Sequence, residues 1–77
     1  MAEGTGVKVR VTYDVAAGMA YIYLVGDIAS GAAVRQEIAG DDMAAVLDFD
    51  ADGLLLGVEL PLSRLHPDLL GIAEQIG

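Results

Sequence analysis

Seven consecutive apolar residues, Met19-Ala-Tyr-Ile-Tyr-Leu-Val25, constrain this chain more than any other feature. The run is far short of the ~20 residues a helix needs to cross a bilayer. Read with period two, Met19, Tyr21, Tyr23 and Val25 share one face while Ala20, Ile22 and Leu24 share the other. Both faces are apolar, as in a central strand covered on both sides. The chain has 77 residues, and a domain of that size buries only about 60% of the surface its unfolded form exposes. Thirty residues are Val, Ile, Leu, Met, Phe or Tyr, more than so small a core can hide. We therefore expect one domain over 7–77 that self-associates as a homodimer. The expected interface is Met19, Tyr21, Tyr23 and Val25.

The rest of the chain reads as strands followed by one helix. Residues 1–6 read as a disordered tail. Val7, Val9, Val11 and Tyr13 alternate with Lys8, Arg10 and Thr12, the signature of a half-buried strand. A third strand is expected over Ala33–Ala39, with Val34, Gln36 and Ile38 facing one way and Arg35 and Glu37 the other. Ala44–Asp50 and Leu54–Leu60 flank Asp52-Gly53, a strong hairpin signal. A two-residue turn there pairs Ala51 with Leu54, Phe49 with Leu56, Leu47 with Val58 and Ala45 with Leu60. That register is preferred to a bulged one because every pair is apolar. Pro61 ends the strand, and Leu65, Leu69, Ile72 and Ile76 then recur at helical spacing. Pro67 suits the first helical position and Asp68 the first turn. The expected fold is α+β: a small antiparallel sheet of about five strands with one C-terminal amphipathic helix on one face.

Asp48-Phe-Asp50-Ala-Asp52-Gly53-Leu-Leu-Leu-Gly-Val-Glu59 matches the calcium-loop pattern of acids at positions 1, 3, 5 and 12 with glycine at 6. A calcium loop needs an entering and a leaving helix. Gly40 and Pro61 leave no room for them. In the hairpin, Glu59 lies opposite Val46, too far from the tip to meet Asp50 and Asp52. Asp and Gly are therefore read as turn formers, and Asp48, Asp50, Asp52 and Glu59 as candidate metal ligands of a secondary reading.

The chemistry the chain can carry is narrow. With no cysteine it has no disulfide, thiolate metal site or thiol nucleophile. A net charge of −8 opposes binding to nucleic acid or to anionic membrane. Ser63, His66 and Asp68 fall within one short stretch, whereas a catalytic triad converges from separate loops; His66 reads instead as flanking the helix start and Ser63 as capping a turn. Seven acids (Glu37, Asp41, Asp42, Asp48, Asp50, Asp52 and Glu59) lie between residues 36 and 63 without a single base. That field could hold a divalent cation or attract a basic protein. Lys8, Arg10 and Arg35 lie outside it.

The segments Val11-Thr-Tyr-Asp14, Tyr21-Ile-Tyr-Leu24, Leu47-Asp-Phe-Asp-Ala-Asp-Gly53 and Gly57-Val-Glu-Leu60 resemble, in that order, the bacterial domain of unknown function 2283 family. The resemblance spans about residues 8 to 70. The chain departs from it at Gly18, where the family usually has an acid. It implies a small cytoplasmic protein with no catalytic residues to carry over, and an Asp-Gly segment that belongs to a sheet. Some members look to be encoded beside small toxin-like proteins, which would suit an acidic binding partner.

The expected function is a non-enzymatic, acidic, oligomeric interaction module in the cytoplasm, without cofactor. The alternatives are a divalent-metal or small-molecule binding protein using the acids of 41–59, and an acidic neutraliser of a basic partner protein.

Overall fold

The computed structural model describes residues 9–26, 28–42 and 44–76. The expected tail and the strand start at Val7 and Lys8 lie outside those residues. β1 (Arg10–Asp14) and β2 (Met19–Tyr23) form an antiparallel hairpin, closed where the Gly18 N–H donates to the Val15 carbonyl at 3.1 Å. A long connection leads to β3 (Arg35–Ala39), and β4 (Ala45–Phe49) and β5 (Leu55–Pro61) follow as antiparallel neighbours. β5 then pairs with β2, so the order across the sheet is β3-β4-β5-β2-β1-β6. β2 is central, as its apolar run requires, but it ends at Tyr23, before Val25.

The sixth strand corrects the expected helix. A 3-10 turn at Leu62–Arg64 and a single helical turn, α1 (Pro67–Leu70), are all the helix the described residues contain. Pro67 opens α1 and His66 caps it, its Nδ1 accepting the Asp68 N–H at 3.0 Å, but Gly71 closes it. Glycine costs about 1 kcal/mol inside a helix. Helices shorter than ~12–15 residues are marginal without packing. The edge of β1 offers the backbone a better partner. β6 (Glu74–Gln75) pairs parallel to β1, and the Ile76 N–H donates to the Tyr13 carbonyl at 2.7 Å. The sheet is therefore mixed and six-stranded rather than purely antiparallel. Leu65 and Leu69 turn inward as expected, whereas Ile72 and Ile76 beyond Gly71 stay exposed.

The β4–β5 hairpin reaches the expected pairing by an unexpected route. The Gly53 N–H donates to the Asp50 carbonyl, and the Asp50 N–H to the Leu54 carbonyl, so the loop has three residues. Gly53 takes the left-handed conformation (φ +80°) that such a loop demands. Phe49 thus meets Leu55, not Leu56, and an irregularity at Asp48/Phe49 restores the register. Leu47 pairs with Val58 and Val46 with Glu59, as expected. The extra residue, Leu56, is buried, and its carbonyl accepts the Leu24 N–H on the other flank of β5 at 3.0 Å.

One face of the sheet holds the core. Val11, Ala20 and Leu65 are buried there, with Tyr13, Ile22, Leu60, Leu62, Leu69 and Ala73 packed around them. Segment Leu62–Ala73, in place of the expected C-terminal amphipathic helix, covers β1, β2 and the end of β5. No helix among the described residues is long and apolar enough to cross a membrane. Leu65 fills the centre of this layer, so Leu65→Ala is expected to cost about 2–5 kcal/mol. That is a large fraction of the stability of a chain this size, about 4–11 kcal/mol. Urea denaturation measures it, and an unchanged midpoint would show that Leu62–Ala73 does not pack on the sheet.

Candidate functional site

The opposite face has no such layer among the described residues, and strand register places its side chains in rows. One row runs Gln36, Asp48, Gly57, Tyr23, Arg10; the next runs Ile38, Val46, Glu59, Tyr21, Thr12, Glu74. Met19 and Asp14 face each other in a third.

Tyr21 leans out of its own row. Its ring crosses Gly57, where a Cβ would stand 2.5 Å from Tyr21 Oη and 2.7 Å from two ring carbons. Only glycine leaves that space. Beyond Gly57 the hydroxyl donates to Asp48 Oδ2 at 2.7 Å, and Gln36 Nε2 donates to Oδ1 at 2.9 Å. Asp48, 8% exposed, is thereby satisfied on both oxygens. Burial, the hydrogen bond and charge of Asp48, then Tyr23 and Glu59 push the Tyr21 hydroxyl above the ordinary tyrosine range. Tyr23 meets Tyr21 edge to face, centroids 4.7 Å apart, and the Arg10 guanidinium lies 4.3 Å from the Tyr23 centroid. Both tyrosines are therefore committed to intramolecular contacts. Met19 and Val25 are half-buried, Val25 in the bend after β2.

The four acids of the calcium-loop pattern are dispersed. Asp48 answers Tyr21 and Gln36, while Asp50 Oδ1 accepts the Asp52 and Leu54 N–H groups at 2.9 Å each. Asp52 is exposed at the tip, and Glu59 lies on β5 opposite Val46 and Tyr21. Among the described residues, no three imidazole or carboxylate side chains are placed to hold a metal ion. Ser63 is exposed within the 3-10 turn, whose N-cap is Pro61. The arginines each meet an acid: Arg64 with Asp42 at 2.6 Å, Arg10 with Glu74 at 3.9 Å, and Arg35 with Glu37.

Two features escape a residue-by-residue reading. Beside the displaced Tyr21 ring lies an open hollow of about 210 Å³ between Thr12, Asp14, Met19, Tyr21, Glu59 and Ile76. At the far side, β3 has β4 on one flank and no strand on the other among the described residues. Val34 and Ile38 on that edge are 61% and 59% exposed. A glycine inside a strand pattern was the available signal for the Tyr21 seat. Searches against family models, curated proteins and solved structures return no match to this chain.

Two predictions follow from the geometry of Tyr21. Gly57→Ala is expected to cost about 1–3 kcal/mol in the native chain and almost nothing in a Tyr21→Ala background. Equal costs in urea denaturation of the four chains would mean that the ring does not rest on Gly57. Because its pKa is raised in the folded state, Tyr21 is protonated in both states below about pH 10, and stability is lost as the pH climbs above that value. Tyr21→Phe is therefore expected to lose less stability than the native chain between about pH 9 and 11. Identical slopes would contradict the assignment.

Proposed function

We propose that this chain is a non-enzymatic, self-associating interaction module, a homodimer built through the outer edge of β3. The observation that supports it is the self-complementarity of Val34-Arg35-Gln36-Glu37-Ile38. Two antiparallel copies centred on Gln36 place Arg35 opposite Glu37 of the other copy and Val34 opposite its Ile38. Opposite charges and apolar residues thus meet across one two-fold axis, the geometry of an isologous interface. An unpaired edge carries free backbone donors and acceptors, and pairing satisfies them. Within one copy, Arg35 bonds Glu37 of its own strand and stacks on Phe49 at 4.4 Å. The pair is half exposed, so exchanging partners costs little.

This reading moves the dimer interface away from Met19, Tyr21, Tyr23 and Val25, because the tyrosines already have partners and the most exposed apolar residues lie elsewhere. Cytoplasmic residence and membership of the domain of unknown function 2283 family belong to the same proposal. The motifs of that resemblance fall on β1, β2 and the β4–β5 hairpin.

Sedimentation across a concentration series tests the edge. Arg35→Glu and Glu37→Arg, made singly, set like charges opposite each other and are expected to shift the protein to monomer. The double exchange restores opposite charges and is expected to restore the dimer. A native chain that stays monomeric throughout contradicts the proposal. So does a dimer indifferent to both single changes but lost in Tyr23→Asp, which returns the interface to the tyrosine face.

A further inference from the structure

The opposite end of the sheet carries the same kind of pattern as β3. β1 reads Arg10-Val-Thr-Tyr-Asp14, and among the described residues only β6 lies beyond it. Two antiparallel copies of β1 centred on Thr12 place Arg10 opposite Asp14 of the other copy and Val11 opposite its Tyr13. Opposite charges and apolar residues again meet across one two-fold axis. The backbone agrees with that centre. Tyr13 turns its carbonyl toward β6, where it accepts the Ile76 N–H at 2.7 Å. Alternate residues of a strand present their backbone groups to the same flank, so Val11 shares that edge with Tyr13. Those two residues exchange hydrogen bonds in a pairing about Thr12.

β6 holds the edge lightly. It pairs only Glu74 with Thr12 and Gln75 with Tyr13, where β1 has five residues. Glu74, Gln75 and Ile76 are all exposed, so the contact buries little apolar surface. The ion pair of Glu74 with Arg10 spans 3.9 Å between side chains 70% and 49% exposed, and such pairs contribute little. These contacts nevertheless fall on the groups that a second copy would use. Glu74 stands where Asp14 of that copy would meet Arg10, and the Ile76 N–H where its Val11 N–H would meet the Tyr13 carbonyl.

We infer that β1 is a second self-pairing edge, closed by β6, and that another copy of this chain is the partner it receives when β6 is displaced. Antiparallel pairing along β1 brings two ion pairs and satisfies more backbone groups than a two-residue parallel contact. While β6 is docked, growth through β3 stops at two copies. With β6 displaced, each copy has a pairing edge at either end of its sheet, and pairing at β3 and β1 in turn builds a continuous sheet. Pairing at β1 needs nothing from β3; only the continuous sheet rests on the β3 dimer proposed above.

Sedimentation velocity of the full chain over a concentration series tests this, with β1 opened while β3 is closed by Arg35→Glu. Ile76→Pro removes the N–H that binds the Tyr13 carbonyl. Arg35→Glu alone is expected to sediment as one chain, and Arg35→Glu with Ile76→Pro as two. Glu74→Arg sets a like charge against Arg10, releases β6 by a separate route, and is expected to give the same doubling in place of Ile76→Pro. In the Ile76→Pro chain, adding Arg10→Asp is expected to return the mass to one copy, and Arg10→Asp with Asp14→Arg to restore two. A chain that still sediments as two with Arg35→Glu alone contradicts pairing at β3 and leaves this inference to the added step, a mass above two copies on Ile76→Pro. No added association from either release variant, in chains whose circular dichroism matches the native, overturns the inference. An added association indifferent to Arg10→Asp overturns it as well.

Discussion

A six-stranded sheet has two faces to cover, and segment Leu62–Ala73 covers part of one. The buried apolar residues number only four among those described: Val11, Ala20, Leu56 and Leu65. So thin a core follows from chain length, because a small domain has too little interior for its apolar residues. β2 sits where the constraint is tightest. Its inner side, Ala20 and Ile22, goes under Leu65, and its outer side has no layer above it among the described residues.

The outer side is kept ordered by polar anchoring in place of a second layer. Tyr21 lies flat over Gly57 and ties β2 to β4 through Asp48, while Gln36 extends the tie to β3. One tyrosine, one glycine and one carboxylate thus link three neighbouring strands on the uncovered face. A carboxylate hydrogen-bonded on both oxygens is stable at low exposure, whereas a bare one would not be. Leaning toward Asp48 also takes the ring away from Thr12 and leaves the hollow beside it. The same residue therefore braces the sheet and bounds the hollow. The free edge of β3 is a separate consequence of the topology: β1 acquires β6, and among the described residues β3 acquires nothing equivalent.

Strand positions were legible because alternation is a direct image of the pleat. β1, β2, β4 and β5 lie where Val11, Tyr21, Leu47 and Val58 place them, and Asp50-Ala-Asp-Gly53 is a turn. The C-terminal helix was misread because the stripe Leu65, Leu69, Ile72, Ile76 carries no information about competition. Gly71 weakens the helix while the edge of β1 offers backbone partners 62 residues away in sequence, across most of the chain. The hairpin tip was misread for a related reason. A three-residue loop plus one extra residue gives the same body register as a two-residue turn, so apolar pairs such as Leu47–Val58 do not separate the two. The calcium-loop pattern shows the reverse error, a match in spacing without matching backbone. The Tyr21–Asp48 bond joins residues 27 apart in sequence, and no local pattern announces it.

We propose that this chain completes its sheet with a second copy of itself at β3. Hydrogen–deuterium exchange at two protein concentrations, below and above the association range, reads that edge directly. The amides of Val34–Ala39 not already bonded to β4 are expected to gain protection at the higher concentration, while those of β1 and β2 do not change. Protection that rises instead along Met19–Tyr23, or a pattern independent of concentration, would contradict it.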